Sequence, residues 1–163
     1  MGLINPMHIG TNFKKLDITS EIKTKEISEK LTNYFKKGDV IYLFGEIGTG
    51  KTTFVKYFIN YLQKQNKESI DEILSPTFNI LNEYEIKDLR ILHYDLYRIK
   101  DFNELKNLGQ ITSQRDALTF IEWPDLVKKD IPDFISLNFM HEDDQNKRSL
   151  TINTNNSKII NDL

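Results

Sequence analysis

Gly45-Glu46-Ile47-Gly48-Thr49-Gly50-Lys51-Thr52 matches the pattern GxxxxGK[ST] at every position. The apolar run Val40 to Phe44 leads straight into it and reads as a central parallel strand buried on both faces. From Lys51 onward Val55, Phe58, Ile59 and Leu62 share one helical face, and the pattern ends in the polar stretch Gln63 to Ser69. Strand, glycine loop and helix in this order predict an α/β P-loop fold with a largely parallel central sheet flanked by helices.

The residue types in the loop follow from the chemistry of a phosphate. Backbone N–H groups must approach it closely, which side chains at the glycine positions would obstruct, and the helix start adds its positive dipole end. The cradle comprises Glu46, Ile47, Gly48, Thr49, Gly50, Lys51, Thr52 and Thr53. Within it Lys51 reaches the β and γ phosphates of a nucleotide, and the Thr52 hydroxyl takes one position on Mg²⁺.

Working outward, Phe13 to Ile18 is a candidate first strand, followed by Thr19 or Ser20 as the N-cap of a helix running to about Lys36. Its stripe is Ile22, Ile27, Leu31, Tyr34 and Phe35, and Gly38 is the stop signal. Beyond the P-loop helix, Phe78 to Ile86 and Leu89 to Leu96 are extended segments around the turn Lys87-Asp88, predicting an antiparallel hairpin. Asp101 caps a short helix that Gly109 closes, and Leu118 to Ile121 is another central strand. Phe134 to Met140 and Ser149 to Asn153 form a terminal pair.

At 163 residues the chain is expected to be a single domain over 1–163, with the polar lead 1–12 disordered. No run approaches the roughly 20 apolar residues of a membrane span, and residues 1–12 lack a signal-peptide core, so a cytoplasmic location is expected. The absence of cysteine excludes disulfides, thiolate catalysis and Cys-based zinc sites, and the 3 histidines are scattered, which points to a hard cation held by oxygen. A formal net charge of -2 gives no global pull towards a polyanion. Lys14, Lys15, Lys36 and Lys37 read as a solvated face.

A P-loop hydrolase also needs a carboxylate at a strand end for the magnesium shell and a group to orient water. Asp95, after Arg90-Ile91-Leu92-His93-Tyr94, and Glu122, after Leu118-Thr119-Phe120-Ile121, are the two candidates. His93 reads as a hydrogen-bonded core histidine and Arg98 as a surface charge.

The succession Gly45-Glu46-Ile47-Gly48-Thr49-Gly50-Lys51-Thr52, Ser75-Pro76-Thr77-Phe78, His93-Tyr94-Asp95-Leu96-Tyr97-Arg98 and Ile121-Glu122-Trp123-Pro124 resembles the ordered motif set of the TsaE family. The resemblance spans about Ile18 to Val127. It implies a Mg²⁺-dependent ATPase, weak alone, that assists a TsaB–TsaD complex in tRNA threonylcarbamoyladenosine (t6A) modification and meets tRNA only indirectly. It also implies that Thr77 sits in a switch-like loop sensing the γ-phosphate or magnesium, where the residues alone read equally as a turn. Asp95 and Glu122 become the essential carboxylates, dividing metal and water between them, and Trp123 is placed beside the nucleotide. Taken alone, Trp123 reads as a half-buried loop anchor. The chain departs from the family pattern in Gln63 to Leu74, which lacks an expected glycine.

The main rival is a small-molecule P-loop kinase, which needs an acceptor pocket and arginines on a lid. Arg90, Arg98, Arg115 and Arg148 are the whole supply, and no run reads as such a lid. Guanine specificity needs an NKxD-type motif, and Asn66-Lys67-Glu68-Ser69 lacks the aspartate.

Overall fold

The computed structural model describes residues 12–127, 135–144 and 146–163. In chain order the elements are β1 (Asn12–Asp17), α1 (Glu21–Leu31), β2 (Val40–Phe44), α2 (Lys51–Gln65), β3 (Leu81–Ile86), β4 (Leu89–Asp95), α3 (Phe102–Asn107), β5 (Ala117–Glu122), β6 (Ile135–His141), β7 (Arg148–Thr154) and α4 (Ser157–Asp162). The seven strands form one sheet in the order β1-β7-β6-β2-β5-β4-β3. Its centre is parallel, with β2 between β5 and β6 and β4 beside β5, while β3 on one edge and β7 and β1 on the other pair antiparallel.

Both faces of the central strands are covered, so their side chains alternate between two apolar layers. Ile41 and Leu43 of β2 join Leu118 and Phe120 of β5 under α1, α2 and α4. Val40, Tyr42 and Ile121 face the opposite layer with Leu105 of α3. In the first layer Phe58 packs edge-on to Phe120 with ring centroids 5.0 Å apart and stacks on Phe35 at 5.7 Å. Parity along β4 and β5 also matters for chemistry. His93 and Asp95 fall on the same face as Ile91, and Glu122 on the same face as Phe120, which is the α2 face.

Several boundaries differ from the sequence expectation. α1 stops at Leu31 rather than near Lys36, and a turn rather than a helix swings Phe35 onto Phe58. Ile22, expected on the buried stripe, is exposed. The hairpin begins at Leu81, and Phe78 stands 85% exposed in the turn before it. Of the lead expected to be disordered over residues 1–12, Asn12 instead belongs to β1, where it pairs with Thr154; residues 1–11, and Phe134 as the first residue of its strand, lie outside the described residues. The terminal pair forms, but β6 also pairs with β2 and so lies inside the sheet. α4 was not anticipated.

The polar segment after α2 lacks a glycine yet turns as though it had one. Lys67 adopts φ 58 just past the helix end. Gln63 then secures the segment by donating to Asp71 at 2.7 Å and accepting from the Asp71 N–H at 3.2 Å.

Candidate nucleotide site

The loop from Gly45 to Gly50 joins the carboxyl end of β2 to the first turn of α2, where parallel α/β sheets hold their ligands. Gly45 has φ 141, and a Cβ there would lie 2.5 Å from the Phe139 carbonyl oxygen, so the position admits glycine alone. Gly50, at φ 109, is the N-cap of α2 and offers no side chain to the helix start. The N–H groups of Lys51, Thr52 and Thr53 therefore have no acceptor within the helix and are left for an anion at its start. The Thr49 hydroxyl donates to the Glu46 carbonyl at 2.8 Å and braces the loop from inside.

Lys51 is buried. Its ammonium donates to the carbonyls of Gly45 at 2.7 Å and Glu46 at 2.8 Å, and lies 4.5 Å from the centre of the Trp123 ring. Burial pushes its pKa down, and the charges of Glu122, Asp95 and Glu46 oppose that push. Trp123 is half-buried and holds a left-handed backbone, φ 56 and ψ 55, with its N–H donating to the Leu43 carbonyl at 3.3 Å and its ring 4.9 Å from that of Tyr97. It is both a loop anchor and a neighbour of the loop lysine.

Asp95 and Glu122 are register partners at the ends of the parallel strands β4 and β5, and both are buried. Glu122 Oε1 accepts from the Thr52 hydroxyl at 2.8 Å and lies 2.8 Å from His93 Nε2. Asp95 Oδ2 accepts from Thr77 at 2.7 Å and Ser75 at 3.1 Å, while Oδ1 accepts from the Tyr97 N–H at 3.0 Å. Each carboxylate is thus tied to a different hydroxyl-bearing segment, one to the P-loop helix and one to the 75–77 turn.

The structure brings together Lys51, Thr52, Asp95, Glu122, Thr77 and Trp123 from four separate parts of the chain. Ile47 stands 69% exposed at the loop's outer tip, and among these residues its side chain has no inward role. Arg98 is exposed, its guanidinium 5.6 Å from the Phe78 ring. Sequence reasoning missed the contact of His93 with Glu122, for which equal parity with Asp95 on one strand was the available signal. It also missed Arg148, whose Nη1 lies 3.9 Å from where a Cβ on Gly50 would be.

A magnesium nucleotide fits this donor set. Among the described residues no three His, Asp or Glu side chains are grouped to hold a cation by themselves. One hydroxyl and two carboxylates beside an anion cradle instead suit a cation shared with phosphate oxygens.

The family model described as "Threonylcarbamoyl adenosine biosynthesis protein TsaE" matches residues 18–150. The protein named tRNA threonylcarbamoyladenosine biosynthesis protein TsaE of Rickettsia conorii is 36% identical over 142 residues, covering 86% of this chain and 78% of that protein. Its namesake from Aquifex aeolicus is 34% identical over 139 residues, 85% of this chain and 95% of the other. A crystal structure of Bacillus subtilis YdiB superposes with a TM-score of 0.68 over 94% of this chain and 92% of that one, at 23% identity, which shows the shared fold. The matched region extends past the motifs to take in β6 and the start of β7, and on this ground the chain belongs to the TsaE family, whose role lies in threonylcarbamoyladenosine biosynthesis.

Proposed function

We propose that this chain is a single-domain, cytoplasmic, Mg²⁺-dependent ATPase that supports t6A modification of tRNA together with TsaB and TsaD, touching tRNA only through that complex. The observation that carries the reading is the Thr52–Glu122 hydrogen bond at 2.8 Å, which joins the P-loop helix to the carboxylate pair. Names carried by relatives 34–36% identical supply the biosynthetic context.

Bound Mg²⁺–ATP supplies a scissile γ-phosphoanhydride and the cation that offsets its charge. The loop N–H groups and the α2 start would hold the phosphates, and Lys51, which donates to the Gly45 and Glu46 carbonyls, would supply a positive charge to them. The Thr52 hydroxyl would be a ligand of the cation. Asp95 and Glu122 would divide metal holding and water orientation, and Thr77, which donates to Asp95, would couple the 75–77 turn to that carboxylate. Trp123 and Tyr97 exclude solvent from one side of the lysine.

The test is t6A formation on tRNA by TsaB and TsaD, supplied with an activated threonylcarbamoyl donor, with and without this chain. Repeated turnover that requires the wild-type chain and fails with Lys51→Ala is expected. Equal turnover in the chain's absence overturns the proposal.

A further inference from the structure

We propose that Ile80 is a strained hinge, whose relaxation to extended backbone moves the 75–79 turn when Asp95 releases Ser75 and Thr77; the trigger for that release rests on the nucleotide site read above. Ile80 holds φ 67, a region of backbone space that a β-branched side chain occupies only when its surroundings force it there.

Its hydrogen bonds show what the strain opposes. Leu81 faces Tyr94 at the start of the β3–β4 pairing, so Ile80 is the next residue in register and stands opposite Asp95. A hydrogen-bonded pair in an antiparallel ladder exchanges two bonds, N–H to carbonyl in each direction. Here the Asp95 N–H donates to the Ile80 carbonyl at 2.9 Å, but the Ile80 N–H is turned back onto the Pro76 carbonyl at 2.5 Å. Rotation of φ to an extended value carries that N–H towards Asp95 and lengthens β3 by one residue, taking the chain upstream of it along. The Ile80 side chain, packed against the layer that holds Leu105, lies downstream of the rotated bond and stays in place.

Asp95 also holds the other end of the turn. Its Oδ2 accepts from Thr77 at 2.7 Å and from Ser75 at 3.1 Å, so one residue fixes both ends of the segment 75–80. Two hydroxyl bonds to one carboxylate oxygen offset the strain at Ile80, and a cation drawing on that oxygen would compete with both. Phe78, between the two anchor points, stands 85% exposed, so the turn moves without taking an aromatic ring out of the core.

The experiment compares Ile80→Gly with Ile80→Ala, which both lose the isoleucine side chain and differ in the backbone they favour. At positive φ glycine is the more stable of the two, and in extended backbone alanine is. Ile80→Gly is expected to have the higher urea midpoint in the otherwise wild-type chain, and the lower one when Ser75→Ala and Thr77→Val are also present. Alanine at or above glycine in the first background, or glycine still above alanine in the second, overturns the proposal. With Mg²⁺ and a non-hydrolysable ATP analogue, Ile80→Gly should bind at least about fivefold more weakly than Ile80→Ala, because it favours the state that binding abolishes. Equal affinities overturn the link between site and hinge while leaving the P-loop reading intact. No binding by the wild type or either variant overturns the P-loop reading and the trigger with it, and the two urea comparisons still decide the hinge.

Discussion

Glu122 Oε1 lies 2.8 Å from the Thr52 hydroxyl, so the residue after the P-loop lysine and the carboxyl end of β5 are held as one unit. Glu122→Gln and Asp95→Asn retain shape and most hydrogen-bond capacity while removing charge. Each is expected to bind ATP within a few-fold of wild type and to hydrolyse it at least about 100-fold more slowly. Nucleotide titration beside single-turnover hydrolysis measures both, and wild-type hydrolysis in either variant would remove that carboxylate from the site.

His93 is fully buried and touches Glu122 through Nε2. Truncation to alanine leaves a cavity and frees the carboxylate, so His93→Ala should cost about 2–3 kcal/mol of stability and slow hydrolysis about tenfold. His93→Gln, which offers an amide donor, should restore hydrolysis more than stability. Denaturant unfolding and the hydrolysis rate, measured on the same samples, separate the two effects.

A methyl group at Gly45 would meet the Phe139 carbonyl at 2.5 Å on a backbone already at φ 141. Gly45→Ala is expected to lose more than about 2 kcal/mol of stability, because both the loop and β6 would have to move. A thermal midpoint equal to wild type would show that the close approach is absent in solution.

Burial lowers the Lys51 pKa, so between its folded value and 10.5 the unfolded chain binds the proton more tightly. The charged lysine therefore costs stability at neutral pH, and that cost is lost as pH rises through the folded value. Lys51→Met should be at least as stable as wild type at pH 7, with the difference shrinking towards pH 10.5, while phosphate binding disappears. A variant less stable than wild type by more than about 1 kcal/mol at pH 7 would show that the carbonyl and carboxylate contacts outweigh desolvation.

The strand–loop–helix from Val40 to Gln65 was legible because its signals are contiguous: an apolar run, fixed glycines, then a 3.6-residue period. The same period misleads after Leu31, where Tyr34 and Phe35 keep helical spacing but Phe35 reaches the core through a turn to stack on Phe58. Phe78 looks like a strand residue by type, yet it precedes β3 and stands in solvent. The place of β6 beside β2 is a long-range pairing that no local pattern encodes. In the site, Asp95 and Glu122 were legible as strand-end carboxylates, and their register partnership explains why both are present. Arg148 was not legible, since its neighbour Gly50 lies far away in the chain and the two are brought together by sheet order alone.

The central claim is tested most directly by Mg²⁺-dependent ATP hydrolysis of the purified chain, alone and with TsaB and TsaD. The account predicts slow hydrolysis alone, a rise of at least about tenfold with both partners, and loss of both activities in Lys51→Ala. Unstimulated hydrolysis with the partners present, or hydrolysis that survives Lys51→Ala, would contradict it.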